Sequence, residues 1–208
     1  MKKILLSTLI FLTFILSFSS ANATIDKALV KKAEVYLNSI TGLSGQFYQV
    51  ANGKKDSGDF SMLRPGRVRL DYNKSPVQLI ADGKDLYFFD KDLDQITTVP
   101  LTSTPAGILI RKKIDLDKAD IIVTETKSTK DTFSLKMHFK DNQGLGNMLV
   151  VFDKEPVALN SWVVTDATGV KTDVKFSDLK IKTDFEKNYF QISRHKTTST
   201  SGGDSYYE

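Results

Sequence analysis

The sequence has no cysteine and only two histidines among its 208 residues. The absence of thiols excludes thiol catalysis and disulfide bonds, so an exported form of this chain must be held together by its core alone. His138 falls on the polar side of an alternating strand and His195 lies near the C-terminus, which disfavours a shared metal site. Nucleophile-elbow, phosphate-loop and zinc-protease motifs are also absent. Paired carboxylates for hydrolysis remain open, although the acids fall mainly in turns and on polar strand faces.

The net charge gives little support to nucleic-acid binding, and the spacing of the acidic residues gives little support to a calcium site. The formal net charge is +4, and two of the positive charges, Lys2-Lys3, stand at the extreme N-terminus, so composition does not favour nucleic acid. Asp90, Asp92 and Asp94 imitate the start of a calcium loop. The sixth position is not glycine and the twelfth is not glutamate, so we expect a solvated hairpin loop there.

The N-terminus has the pattern of a secretory signal. Lys2-Lys3 precede an apolar run from Ile4 to Phe18, and a small-residue cleavage site ends at Ala23. We expect cleavage after Ala23 and a periplasmic mature protein; an uncleaved membrane anchor is the alternative. The remaining chain predicts one domain over residues 24–192 and a polar tail over 193–208 that we expect to be disordered.

Beyond Leu43 the pattern is almost entirely that of β-strands. About eleven alternating segments with short connections predict one large antiparallel sheet, which must curl or close to cover its apolar face. Asn52-Gly53 and Asp82-Gly83 predict tight type I′ hairpins, and a change of parity predicts a bulge near Ser177-Asp178.

One predicted helix precedes this strand pattern and a second one interrupts it. Residues 25–40 carry an apolar stripe typical of an amphipathic helix, with Gly42 as the expected C-terminal cap. Residues 102–111 predict a short helix in which Thr104 is the N-cap and Pro105 the first residue. So short a helix must pack on something, and we expect it to cover the open mouth of the sheet.

Arg64 stands at the end of an alternating strand that places Phe60 and Met62 on its apolar side. The same alternation points Arg64 into the apolar face, where an unpaired charge is costly. Pro65 and Gly66 follow, with glycine where a turn needs a positive φ. We therefore expect Arg64 to have a specific partner inside the fold.

An ordered set of motifs runs from residue 46 to residue 110. The set is Gln46-Phe47, Gly58-x-Phe60, Arg64-Pro65, Arg69-Leu70-Asp71-Tyr72, Asp82-Gly83-Lys84-x-Leu86-Tyr87, Asp94-Gln95-Ile96-Thr97 and Thr104-Pro105 with Leu109-Ile110. This set resembles the periplasmic outer-membrane lipoprotein carrier proteins, the LolA family. The resemblance implies a mainly β fold with a few short helices: an incomplete, half-open antiparallel β-barrel of about eleven strands with an α-helical lid over an apolar cavity.

The resemblance also implies a function without catalysis or cofactor. It implies a periplasmic chaperone that shields the acyl chains of lipoproteins released from the inner membrane and carries them to the outer membrane. The implied partners are acylated lipoproteins as cargo, an inner-membrane ATP-driven lipoprotein-release transporter and an outer-membrane lipoprotein receptor. The protein itself would be a monomer.

Site residues follow from the same resemblance. The lid corresponds to Pro105–Arg111 and the arginine that pairs with it to Arg64, whose guanidinium we expect to donate to the free carbonyls at the lid's C-terminal end, near Ile108, Leu109 and Ile110. The expected lining of the acyl cavity is Phe47, Phe60, Met62, Leu70, Tyr72, Phe88, Phe133, Met137, Phe139 and Trp162. Partner docking is expected near the mouth, at Pro65, Gly66, Arg67 and Val68.

Three alternatives remain at this point. The apolar residues equally fit a filled core with no cavity, as in a structural interaction protein. The same fold also suits a carrier or sensor of other amphiphiles, such as glycolipids. A periplasmic hydrolase would require His138 or several acids to converge inside the cavity.

Overall fold

The computed structural model describes residues 24–117 and 120–192. The signal expected at 1–23 and the tail expected at 193–208 lie outside the described residues. The described chain contains one α-helix and eleven strands: α1 (Lys27–Ser39), β1 (Gly42–Ala51), β2 (Lys54–Leu63), β3 (Arg67–Tyr72), β4 (Val77–Asp82), β5 (Asp85–Asp90), β6 (Gln95–Pro100), β7 (Ile121–Ser128), β8 (Thr132–Phe139), β9 (Asn147–Lys154), β10 (Val157–Thr165) and β11 (Lys171–Ile181).

The strands form one antiparallel sheet in the order β6-β5-β4-β3-β2-β1-β11-β10-β9-β8-β7. Two meanders, β1 to β6 and β7 to β11, are joined where β11 pairs with β1. Within the described residues β6 and β7 are the two edges and do not pair with each other, so the predicted open sheet is confirmed. The chain passes from one edge to the other through residues 101–120.

The predicted hairpins and bulge agree only in part with the structure. Asn52 and Gly53 both have positive φ, 49° and 73°, as a type I′ turn requires. At Asp82-Gly83 the type I′ prediction is wrong, because Asp82 ends β4 and only Gly83 has a positive φ. The Asp82 carboxylate instead accepts hydrogen bonds from the backbone amides of Lys84 and Asp85. The bulge in β11 is confirmed by the shift of its register with β1 between Ser44 and Gln46, and by the positive φ of Asp178.

Helix α1 is fixed to the sheet by its apolar side. Asp26 caps the helix by accepting a hydrogen bond from the Ala28 amide at 2.9 Å, and Val30, Ala33 and Leu37 are buried. The predicted cap at Gly42 is wrong. Gly42 belongs to β1, where an added Cβ would lie 2.1 Å from the carbonyl oxygen of Lys182, directly after β11. Glycine is needed there because the two backbones approach each other closely.

The predicted helix over residues 102–111 is instead a pair of 3-10 turns, Leu101–Ser103 and Pro105–Ile108. Thr104 has an extended backbone between them, which prevents one continuous α-helix. Its side chain accepts a hydrogen bond from the Ala106 amide and Pro105 opens the second turn, as predicted. Residues 101–110 are called the lid below.

The core lies between the inner face of the sheet, α1 and the lid. The predicted alternation in β8 is confirmed, because Phe133, Leu135 and Met137 are almost completely buried. The most deeply buried side chains of the core are Phe60, Phe133, Phe152, Ile108, Ile114, Leu135, Met137, Met148, Val150 and Val174.

Candidate functional site

A cavity of about 340 Å³ lies between the lid, the inner face of β3 to β5, and strands β10 and β11. Its volume is near the lower end of about 300–1,000 Å³, the range of pockets that hold drug-sized ligands. Its lining consists of Gln49, Val68, Leu70, Tyr72, Leu79, Ala81, Leu86, Phe88, Leu101, Thr104, Ala106, Leu109, Ile110, Trp162, Val164, Asp166, Thr172 and Val174.

The cavity is mainly apolar, and three of its four polar residues already make hydrogen bonds. Gln49 accepts one from the Tyr72 hydroxyl at 2.9 Å, and Thr104 caps the second lid turn. Asp166 accepts from Thr168, which lowers the pKa of its carboxyl. This surface favours an apolar ligand held by packing, because its polar groups serve the protein's own turns and caps.

Four of the ten residues predicted to line the cavity do so: Leu70, Tyr72, Phe88 and Trp162. The other six are not part of this lining. Phe47, Phe60, Met62, Phe133 and Met137 are buried in the core, and Phe139 borders a different cavity. Contact of the four with acyl chains stays a prediction.

An aromatic cluster explains why the cavity is displaced toward β3 to β5. The Phe60 ring centroid lies 5.9 Å from that of Trp162 and 4.7 Å from that of Phe176. Trp162 and Phe176 are 4.5 Å apart. These three rings, from three different strands, pack together in the middle of the sheet, and the cavity lies to their β3–β5 side.

Sequence reasoning missed several lining residues that strand alternation could have identified. Leu79 and Ala81 share one side of β4, and Leu86 shares a side of β5 with Phe88. Phe88 is 39% exposed although it lines the cavity, so the cavity is open beside it.

The lid covers the cavity with its apolar side chains. Ile108, Leu109 and Ile110 are 0%, 2% and 4% exposed. The Leu101 amide donates to the Lys84 carbonyl at 3.0 Å, which attaches the start of the lid to the turn between β4 and β5. The closed lid is therefore a packed part of the core.

Arg64 is directed inward, as its position in the alternation predicted, but the bonds it makes differ from the expectation. Its backbone amide donates to the Thr41 carbonyl at 2.8 Å, and the amide of Gly66 donates to the lid carbonyl of Ile110 at 2.6 Å. The guanidinium Nε and Nη2 are buried and have no hydrogen-bond partner among the described residues. Burial lowers the pKa of Arg64 to about 10. These two nitrogens do not make the predicted bonds to lid carbonyls, and the backbone of the turn joins the lid instead.

The four expected docking residues do not share one surface. Pro65 and Gly66 border a second cavity, of about 690 Å³, together with the lid and Phe139. Val68 is buried and lines the first cavity, so it is not available at the surface. Arg67 borders a groove of about 490 Å³ on the outer face of the sheet.

The outer face of β2 to β5 is covered by residues 183–192, which the sequence did not predict. Arg69 donates to the Tyr189 carbonyl at 2.8 Å, and the Tyr189 hydroxyl lies 3.0 Å from the Ser61 hydroxyl. Phe190 is buried. Burial alone would raise the pKa of the Asp71 carboxyl, but hydrogen bonds from Arg69 and Gln78 outweigh it and lower the pKa. This segment therefore supports from outside the strands that form the cavity wall.

A metal site, histidine chemistry and a membrane-spanning helix are the other features to look for among the described residues. Residues 24–117 and 120–192 contain no cluster of three or more side chains that could hold a metal ion. His138 makes a local contact with the Phe139 carbonyl at 2.8 Å and does not line the apolar cavity. None of the helices in the described part of the chain has the length and apolarity to cross a membrane.

The fold and the cavity define a class of protein: a half-open antiparallel β-barrel with an apolar cavity under a lid. Residues 38–193 match the family described as outer membrane lipoprotein carrier protein LolA. The chain belongs to the LolA family, as the motifs between residues 46 and 110 predicted.

Similar proteins extend over most of the chain. An outer-membrane lipoprotein carrier protein from Methylobacillus flagellatus is 27% identical over 174 residues, covering 78% of this chain and 83% of the relative. One from Neisseria meningitidis is 25% identical over 189 residues, covering 86% and 90%. The crystal structure of a LolA superfamily protein from Nitrosomonas europaea covers 76% of this chain and 96% of its own at 11% identity, with a TM-score of 0.40. That score is too low to support a conclusion.

Proposed function

We propose that this chain is a periplasmic chaperone that shields the acyl chains of lipoproteins released from the inner membrane and carries them to the outer membrane. The observation that carries the proposal is the lidded apolar cavity in a member of the LolA family. The N-terminal signal expected at residues 1–23, with cleavage after Ala23, would bring the protein to the periplasm.

The energetic need for such a carrier is large. Each buried methylene contributes about 0.8 kcal/mol, so an acyl chain of roughly 15 methylenes exposes about 12 kcal/mol of unfavourable surface in water. An apolar cavity removes that barrier between two membranes. Because the closed cavity is small, loading a multiply acylated protein requires the lid to move.

The lid supplies a means of controlling access. We retain for Arg64 the role of a latch that favours the closed lid, since its turn is bonded directly to the lid at Ile110. The two buried guanidinium nitrogens need acceptors, and we assign them the last lid carbonyls because the turn that follows Arg64 is already bonded to the lid. Cargo would then displace the latch together with the lid.

The proposed partners are an inner-membrane ATP-driven release transporter that supplies cargo and an outer-membrane receptor that accepts it. We place partner docking at the second cavity, bordered by Pro65 and Gly66, because Leu101 and Ile110 of the lid line both cavities. A partner that docks there would contact the Gly66–Ile110 bond directly. Docking at this edge of the lid would thus couple partner binding to lid opening.

The test is co-expression with a triacylated lipoprotein, followed by pull-down and mass spectrometry of the bound material. We expect wild type to retain the acylated protein and an Ala106→Trp variant, which fills the cavity from the lid, to lose most of it. The matched control is Ala28→Trp, at an exposed position of α1. Recovery of a different amphiphile would favour the alternative carrier, and equal retention by both variants would exclude the cavity as the binding site.

A further inference from the structure

The segment that follows the lid, residues 111–117, is hydrogen-bonded to α1 through the side-chain amide of Asn38. The Asn38 amide Nδ2 donates to the Ile114 carbonyl at 2.7 Å, and the Asn38 Oδ1 accepts from the Ile114 amide at 3.0 Å. Asn38 lies on the exposed side of α1, whereas Ile114 is completely buried. The side chain therefore acts toward Ile114 as a neighbouring strand would, satisfying both of its backbone groups.

A second contact holds the same segment one turn earlier on α1. Glu34 Oε2 accepts from the Leu116 amide at 3.0 Å, while its other oxygen accepts from Lys31 at 2.7 Å. The bonds from Lys31 and Leu116 lower the pKa of the Glu34 carboxyl. Leu116 is itself buried. Polar side chains of α1 therefore bind the backbone of both Ile114 and Leu116, the two buried residues of the segment.

These contacts complete a bridge between the two halves of the sheet. The lid is attached to the first half at Lys84 and Gly66. Its continuation is attached to α1, and α1 packs against β7 and β8 in the second half. The position of the segment that follows the lid is therefore set by α1 at Ile114.

We propose that Asn38 is a positioning residue that keeps the lid closed over the cavity. The role of the lid in cargo handling rests on the proposed function, but the closure itself does not. Asn38 supplies one donor and one acceptor to the same residue, because its amide carries both on one planar group. Without it, the two buried backbone groups of Ile114 lose their partner, and the closed arrangement becomes less favourable.

The chain has no cysteine, so a single introduced thiol reports local opening without background. A Leu109→Cys variant places a thiol under the lid, and a Val150→Cys variant places one in the core of the sheet, where Val150 is 0% exposed. Each is combined with Asn38→Leu and with the control Asn73→Leu. Asn73 loses an amide hydrogen bond to Ser57 at the opposite end of β3 from the Gly66 turn.

We expect Asn38→Leu to raise the reaction rate of the thiol at position 109 roughly tenfold, which corresponds to about 1.4 kcal/mol. The thiol at position 150 should not change, and Asn73→Leu should change neither. Asn38→Asp keeps the acceptor for the Ile114 amide but sets a carboxylate oxygen against the Ile114 carbonyl, so we expect an increase at least as large as that of Asn38→Leu. It also serves if Asn38→Leu does not fold.

Two results would overturn the proposal. One is an equal rate at position 109 in the Asn38 and Asn73 variants. The other is a parallel increase at positions 109 and 150, which would show that Asn38 supports the whole fold and not the lid. Because this measurement contains no cargo, a failure to bind lipoprotein would count against the proposed function alone.

Discussion

Gly107 is the position at which the two turns of the lid touch, and it offers a direct test of lid packing. A Cβ added to Gly107 would lie 2.5 Å from the carbonyl oxygen of Leu101. That is about 1 Å closer than a normal contact between heavy atoms. Leu101 is itself bonded through its amide to Lys84, so its oxygen cannot retreat without disturbing the attachment of the lid. We expect Gly107→Ala to push the two turns apart.

The expected cost combines two opposing terms. Overpacking a close contact costs about 1–3 kcal/mol, whereas replacing glycine by alanine stabilises by about 0.4–1 kcal/mol through the unfolded state. The net loss is then roughly 1–2 kcal/mol, which in a domain of this size lowers the Tm by about 2–8 °C. The thiol of a Leu109→Cys variant should also react faster in the Gly107→Ala background.

Gly144 provides a matched control because it also lies in a 3-10 turn, Gln143–Leu145. The nearest atom to a Cβ added there is 4.0 Å away, so nothing has to move. Gly144→Ala should leave the Tm unchanged or raise it slightly, and it should leave the thiol at position 109 unaffected. The reasoning would be refuted if the two alanine variants had the same Tm and the same thiol reactivity.

Two further predictions concern Arg64, the proposed latch, and Glu34, which holds the segment after the lid. Arg64→Leu removes the proposed latch and should raise the thiol reactivity of Leu109→Cys roughly 5- to 150-fold, for a loss of about 1–3 kcal/mol, with Arg64→Lys intermediate. A slower reaction would show that the buried guanidinium strains the closed lid instead. The pKa of Glu34 is lowered in the folded protein, so its contribution is present above its usual pKa and is lost as the pH falls through the lowered one. The Tm of wild type should exceed that of Glu34→Gln at pH 7, and the difference should shrink as the pH falls below the usual pKa of a glutamate and disappear once the carboxyl is protonated in the folded protein; a constant difference would contradict this.

Local signals in the sequence specified most of the fold. Residues that tolerate a positive φ marked the turn at Asn52-Gly53, and alternation identified the buried side of β8. The helix over the lid was wrong because residue propensity does not show that Thr104 adopts an extended backbone. That conformation depends on how the two turns pack, which involves Gly107 and a carbonyl six residues away.

The site was harder to predict because it depends on contacts between distant strands. Alternation shows that Phe60 and Trp162 point inward, but not that their rings meet and fill the space between β2 and β10. Asn38 gave no signal at all, since an exposed asparagine on a helix is ordinary and its partner lies 76 residues further along the chain. Arg64 could be predicted to face inward, but it could not be predicted that its Nε and Nη2 have no hydrogen-bond partner among the described residues.

The size of the cavity bears on how tightly cargo can be held. A fully shielded acyl chain of about 15 methylenes gains roughly 12 kcal/mol, which would prevent delivery in a compartment where no ATP is expected. In the closed protein, however, Ile108, Leu109 and Ile110 are packed in the core, and a long chain that lifts the lid would expose them. Removing each of these side chains from its packed position costs about 1.5–3 kcal/mol, and three of them offset roughly half of the gain. A lid whose own apolar side chains are packed in the closed state would therefore weaken cargo binding and favour release without any energy source.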